Sequence, residues 1–267
     1  MRDYMIEPTQ YDTILRTAME QSAVDLSCEP EDFCSAGNKV VISRKNENAR
    51  QYLELPFFFQ IVSYGNNVLA SVSEDFAPFA EKYINQYGAV RSFETPAILA
   101  LNDKLMKYGH KVCFMARYYL PVPELIKPLP LDCDFALRVM EKPEFEEYYL
   151  PEFGNAICAE HSERDVLTVG AFDGSTLVGL AGASADCESM WQIGVDVLPE
   201  YRRRGIASAV TSRLALEIMH VGKVPFYCAA WSNVRSARNA VKSGFRPAWV
   251  ELTAKSSDFV NKMNGSK

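Results

Sequence analysis

The chemistry of this chain concentrates in Val195-Asp-Val-Leu-Pro-Glu-Tyr-Arg-Arg-Arg-Gly-Ile-Ala207. A strand-like run stops at Pro199, three arginines follow, and a helical pattern begins at Ile206. The start of a helix leaves its first backbone N–H groups without intrahelical acceptors, beside the positive end of the dipole. Gly205 and Ala207 keep the turn small, so an anion can approach the main chain closely. Arg202, Arg203 and Arg204 add diffuse positive charge. This is the makeup of a pyrophosphate cradle. Taken alone, it also fits an arginine-rich surface turn before an ordinary helix.

Charge favours the cradle. From Arg202 to Arg246 there are nine Lys and Arg residues against one acid, Glu217, in a chain of formal net charge −6. A cationic island in an acidic chain calls for a local anionic ligand rather than a long polyanion. Nucleic acid is not expected, because the acidic remainder repels a phosphate backbone. Arg238 and Lys242 by themselves read as a solvated helix face. A Gly-x-Gly-x-x-Gly fingerprint and a Gly-Lys-Ser/Thr loop are both lacking, so dinucleotide and P-loop readings fail. Seven irregularly spaced cysteines without a Cys-x-x-Cys pair, and three histidines far apart, argue for thiols in a reducing compartment and no metal. The acidic opening, Met1 to Pro8, is unlike an export signal. The apolar stretch from Leu53 to Val72 is interrupted by Gln60, Ser63, Gly65, Asn66 and Asn67 and is too polar to span a bilayer. The expectation is a cytoplasmic protein with no membrane contact.

Positioning elements follow from periodicity and turn chemistry. In the N-terminal part the pattern predicts a helix over Pro8–Ser22, a strand at Val40–Ile42 and a hairpin of Phe57–Ser63 with Val68–Val72 around Gly65. Helices over Ser73–Tyr87 (closed by Gly88) and from Thr95 as N-cap to Gly109 come next, then a strand over Lys111–Leu120. Phe57, Phe58 and Phe59 read as a buried strand ahead of an acceptor pocket. Pro121, Pro123, Pro128 and Pro130 make the following stretch extended and stiff. The expected partition is residues 1–120 as an α/β domain of unassigned role, 121–131 as a linker and 132–267 as a second domain. In the second domain a strand over Phe135–Met140 is followed by helical structure from Pro143 to about Glu160, broken near Pro151 and Gly154. A hairpin of Val166–Phe172 with Thr176–Ser184 turns at Asp173-Gly174. Strand Met190–Val197, helix Ile206–His220, strand Val224–Ala229, helix Asn233–Ser243 and strand Pro247–Thr253 complete it.

Arg202-x-x-Gly205-x-Ala207, the preceding Val-x-Pro-Glu-Tyr context, the later Asn233…Gly244-Phe245 and this element order together resemble the GCN5-related N-acetyltransferases (GNAT), over about Asp134 to Lys255. Two-domain bacterial proteins of that family have this size. The resemblance implies an α/β chain whose second domain has a mixed, mostly antiparallel sheet with splayed central strands, beside a smaller N-terminal α/β domain. It implies acetyl-CoA as cosubstrate, its pyrophosphate on the amides of Arg203, Arg204, Gly205, Ile206, Ala207 and Ser208, with Arg202 alongside. The pantetheine arm would pair with the strand edge from Val195 to Val197, opened by a bulge at Gly194, and the amide near Val195 would serve as oxyanion donor. Asn233 caps its helix or bonds the coenzyme arm.

Aminolysis of a thioester needs a base for the ammonium, and an acid helps the departing thiolate. The family's frequent tyrosine acid, seven residues after the Asn, falls on Ala240 here. Ser236, one turn earlier, is the substitute that would hold a water near the sulfur, with a small packing residue as its other reading; if the chain is an enzyme, Ala240→Tyr is expected to be tolerated, the alternative being that Ala240 faces the core. Asp196 is the one ionisable candidate base near the cradle, with a backbone contact as its alternative role; Glu152, His161 and Glu251 lack geometric support. Tyr201 and Trp231 read as packing residues. The resulting expectation is an N-acetyltransferase acting by direct attack of an amine in a ternary complex, with a cationic acceptor favoured by the acidic remainder. A non-catalytic acyl-CoA-binding or regulatory module is the alternative, and a homodimer is left open.

Overall fold

The computed structural model describes residues 11–131 and 134–265. Helix α1 (Tyr11–Leu26) is followed by strand β1 (Lys39–Ile42), the pair β2 (Phe59–Ser63) and β3 (Leu69–Val72), helices α2 (Ala77–Arg91) and α3 (Thr95–Met106), and strand β4 (His110–Pro121). Next come β5 (Phe135–Met140), β6 (Asp165–Asp173), β7 (Thr176–Ser184), β8 (Met190–Val197) and α4 (Ile206–His220). Strand β9 (Val224–Ala230), helix α5 (Val234–Lys242), strand β10 (Phe245–Ser256) and helix α6 (Ser257–Met263) complete the chain. The first residues of the helix expected from Pro8 lie outside the described residues. Thr95 is the first helical residue rather than the cap, a position held by Glu94 without a side-chain bond.

The residues gather into two compact units. Of the described residues, unit I takes those of Tyr119–Pro247 with 11–17, and unit II takes Ala18–Tyr118 with 248–265. This differs from the sequence partition at residues 120 and 132, because the end of the chain returns to the N-terminal part. Strand β10 pairs antiparallel with β2, from Val250↔Ser63 to Thr253↔Gln60. Within unit II the strands run β1–β3–β2–β10, with β1 parallel to β3 at one edge. Phe59, Ile61, Phe76, Tyr83, Leu101 and Leu252 form its apolar core under α2 and α3.

Beside that core unit II buries an arginine. Arg50 Nε meets Asp25 Oδ2 at 2.5 Å and its Nη2 meets Glu251 Oε1 at 2.9 Å, with all three residues at most 4% exposed. The guanidinium also lies over the rings of Tyr52 and Tyr118. Each carboxylate has further donors: Gln21 Nε2 and the Arg50 N–H on Asp25, and Gln60 Nε2 and Trp249 Nε1 on Glu251. A buried ion pair survives only with its remaining lone pairs satisfied, and this one is.

In unit I the strands lie in the order β5–β6–β7–β8–β9. Strands β5 to β8 are antiparallel, and β9 joins β8 in parallel. Helix α4 packs Ile206, Val210, Leu214 and Ile218 on one face of this sheet, against Val169, Val178, Ala181 and Ile193. The helix expected between Pro143 and Glu160 does not form. Three short 3₁₀ turns, Glu146–Tyr148, Pro151–Phe153 and Ala159–His161, stand in its place. Pro143 and Pro151 withhold backbone donors there, the Asn155 N–H bonds a carboxylate, and the Ala156 N–H is shared between that carboxylate and Phe153 O. The proline-rich stretch 122–131 holds neither helix nor strand. Within unit I it is tied down by Val122 N–H to Gly244 O (3.1 Å) and Ser212 Oγ to Lys127 O.

Candidate functional site

The turn into α4 has an unusual backbone. Arg203 has φ 67° and Gly205 has φ 87°, so two left-handed residues occur within three positions. For arginine that conformation costs about 1–2 kcal/mol, and strain of this kind collects where the main chain binds something. Gly205 holds the N-cap position without a side-chain cap, leaving the first amides of α4, from Ile206 to Ser208, uncovered. A Cβ added at Gly205 would meet nothing within 4 Å, so the space in front of the turn is open. Ser208 Oγ donates to Gly205 O at 2.9 Å and braces the turn from behind.

The three arginines diverge. Arg202 Nε donates to Val197 O at 3.1 Å, while Arg204 lies over the Phe135 ring and 3.9 Å from Asp134 Oδ2. Arg203 is exposed and has no ion pair among the described residues. Two further members of the basic island are engaged within unit I: Arg213 pairs with Glu217, and Arg246 caps the carbonyls of Val241 and Phe245.

Leading into this turn, β8 is only partly paired. It keeps three rows with β9, from Met190↔Val224 to Gln192↔Phe226, and the strands then separate. Leu198 N–H donates to Val178 O on β7, and along a strand the bonding direction alternates. The N–H and C=O groups of Asp196 and Gly194 therefore face β7, whereas those of Val195 and Val197, beyond the last row with β9, face the gap. The bond from Arg202 to Val197 O agrees with that direction. No bulge opens β8 at Gly194, since its register with β7 is unbroken from Gly179↔Val197 to Ser184↔Gln192.

Gly194 has another use. Gly182 and Gly194 lie opposite each other on β7 and β8, and a loop crosses directly over them. A Cβ at Gly194 would stand 1.8 Å from Asn155 O, and one at Gly182 would stand 2.1 Å from Ala156 O. Asp196, on the same face of β8, holds the loop down. Its Oδ2 accepts from the N–H groups of Asn155 (2.8 Å) and Ala156 (2.9 Å), and its Oδ1 from Asn155 Nδ2 (2.8 Å). Asp165 grips the next residues, accepting from Cys158 N–H at 2.8 Å and Tyr149 Oη at 3.2 Å, and its burial pushes the carboxyl pKa up. Asp196→Ala should accelerate hydrogen exchange at Asn155 and Ala156 at least ~10-fold and cost about 1.5–3 kcal/mol, the worth of bonds to a charged acceptor. Unchanged exchange at those two amides would remove Asp196 from this role.

Across the gap, α5 starts as expected. Asn233 Oδ1 accepts from Ser236 N–H at 3.1 Å, which caps the helix. Ser236 Oγ is 2.8 Å from the hydroxyl of Tyr227, the first residue of β9 beyond its last row with β8. Tyr227 is buried, and burial pushes its pKa up despite bonds from Ser236 and Asn239. Sequence reading passed over it as a strand aromatic; only the pairing pattern puts it at the opening. Ala240 is 0% exposed within the core, so the expectation that a tyrosine is tolerated there is overturned. Overpacking at such a site costs about 1–3 kcal/mol. On the opposite face Gln192 Nε2 approaches Cys228 Sγ at 3.5 Å. Glu152 and His161 are exposed, and Glu251 belongs to the buried Arg50 cluster of unit II. Among the described residues no group of three or more His, Cys, Asp or Glu is placed to hold a metal ion.

Residues 135–245 match the family model for the acetyltransferase (GNAT) family. No curated protein matches the chain. Solved structures similar to it include a GCN5-related N-acetyltransferase from Kribbella flavida, at 15% identity and TM-score 0.47, covering 59% of this chain and 63% of that one. The chain thus spans less than two-thirds of that relative. A GCN5-related N-acetyltransferase-like protein from Streptococcus suis shares 20% identity over 61% of this chain and 68% of its own, with TM-score 0.42. A Drosophila protein covers 93% of this chain and 91% of its own at 11% identity and TM-score 0.48. No described helix is long and apolar enough to cross a membrane.

Proposed function

Because residues 135–245 form an acyltransferase domain of the GNAT family, we propose that the chain transfers an acetyl group from acetyl-CoA to an amine by direct attack. The observation that carries this reading is the conjunction of an open β8 edge with an uncapped, left-handed turn at Arg203–Gly205. The amides of Arg203, Arg204, Gly205, Ile206, Ala207 and Ser208 suit a pyrophosphate, with Arg202 and the exposed Arg203 supplying charge. The outward groups of Val195 and Val197 suit an extended amide-bearing arm, as a further strand would. Asn233 caps its helix and has no second role in this scheme.

The chemistry follows from those positions. The Val195 N–H faces the gap and is the donor for the thioester carbonyl oxygen as negative charge develops on it. The amine nitrogen forms its bond to the carbonyl carbon and the C–S bond breaks, leaving a thiolate to be protonated. Tyr227, kept protonated by burial and aligned by Ser236, is the acid for that step. With both oxygens of Asp196 engaged by the Asn155–Ala156 loop, we assign it to positioning that loop beside the acceptor, and the amine loses its proton to water.

The test is turnover of acetyl-CoA with a panel of polyamines, aminoglycosides and lysine peptides, followed as free thiol. Binding of acetyl-CoA without turnover on any amine would favour the coenzyme-binding module instead. In an active protein, Tyr227→Phe should lower kcat about 10²-fold, within the range of general acid catalysis, with acetyl-CoA affinity changed less than about twofold. An unaltered kcat would leave Tyr227 as a packing residue.

A further inference from the structure

Unit II has an open edge that the acyl-transfer reading does not use. Among the described residues strand β1 is the edge strand of its sheet and pairs only with β3. Lys39 N–H donates to Val68 O at 3.0 Å and Ser43 N–H to Val72 O at 2.9 Å. By the alternation of a strand, Lys39, Val41 and Ser43 direct their backbone groups toward β3. Val40 and Ile42 therefore direct theirs outward, where no strand of the described residues pairs. Those two residues line a groove of about 540 Å³ between β1 and the start of α2.

The groove is acidic. Glu74 and Glu81, two helical turns apart, line its helix side and are exposed without an ion pair among the described residues. The cation on the lining, Lys39, is held by both oxygens of Asp32 at 2.8 and 2.7 Å. Unpaired edges are commonly blunted by a lysine or a proline, but here the lysine is neutralised and the rim charge is negative.

We infer that this edge takes up an extended, lysine- or arginine-bearing segment of a partner protein as an added strand, with its side-chain cations beside Glu74 and Glu81. Main-chain bonds to Val40 and Ile42 would provide affinity and the two glutamates the choice of partner. A second copy fits less well, since pairing two β1 edges about a two-fold axis brings like charges to the seam.

The probe is an eight-residue, end-capped peptide of alternating Lys and Val, titrated into the full chain by fluorescence anisotropy with amide NMR. Its Kd should be at least ~10-fold below that of the alternating Glu and Val peptide, with shifts at Val40 and Ile42. The pair Glu74→Lys and Glu81→Lys should weaken it at least ~10-fold, while Glu124→Lys with Glu188→Lys, equal in charge but off the groove, should change it less than about twofold. Ile42→Pro removes an outward donor and spares the β3 ladder, so it should also weaken binding at least ~10-fold. Absence of binding, equal binding of both peptides, or indifference to Ile42→Pro overturns the proposal. Concentration-dependent dimers abolished by Ile42→Pro overturn it in favour of a second copy. Turnover of acetyl-CoA is unaffected by any of these outcomes, so the two readings fail separately.

Discussion

Arg50→Ala should destabilise unit II by about 3–5 kcal/mol, enough to unfold it at moderate temperature. The side chain is almost fully buried and its guanidinium bridges Asp25 and Glu251. Truncating it leaves two buried carboxylates with neutral donors: Gln21 Nε2 and the backbone N–H of residue 50 for Asp25, and Gln60 Nε2 and Trp249 Nε1 for Glu251. An uncompensated buried charge is far costlier than the pair it came from was stabilising. Urea midpoints of the two proteins at pH 7 measure the effect. A variant within about 1 kcal/mol of the wild type at pH 7 would mean that water reaches the site.

Gly205→Glu should weaken acetyl-CoA binding at least ~100-fold while leaving the domain folded. A side chain at this position meets no protein atom within 4 Å, so steric disruption of the fold is not the cause. Two terms act together. A glutamate at φ 87° pays about 1–2 kcal/mol of backbone strain, and its carboxylate stands where the uncapped amides of α4 would face phosphate. Gly205→Asn separates them, because asparagine tolerates the left-handed region and carries no charge. Its affinity should remain within about 10-fold of wild type. Calorimetric titration of the three proteins decides it, and an unchanged affinity for Gly205→Glu would end the cradle assignment.

Much of the fold of residues 134–245 was legible beforehand, and the reason is local. Strand β8 and helix α4 have the bounds that periodicity predicts, and the hairpin turns at Gly174 with φ 59° as its dipeptide requires. Asn233 caps α5 because an amide side chain at a helix start has a backbone donor within reach whatever surrounds it. The turn into α4 belongs to the same class: a glycine, a run of arginines and a helix start are consecutive residues whose geometry is nearly independent of the rest.

What depended on distant partners was not legible. The segment from Pro143 to Glu160 was expected to be helical, yet Asp196, some forty residues on, takes the Asn155 amide and shares that of Ala156 with Phe153 O. The opposed glycines at 182 and 194 have meaning only once two strands are in register and a loop lies across them. Tyr227 becomes a candidate acid because β8 and β9 part at Phe226, and Ala240 ceases to be a tyrosine site because its helix face turns inward. The end of the chain sits with unit II because β10 finds β2, nearly two hundred residues away. Turns, caps and strand periods are encoded by neighbours in sequence. Which carboxylate holds a loop, which edge stays open and which strand completes a sheet are settled by contacts between residues far apart in the chain.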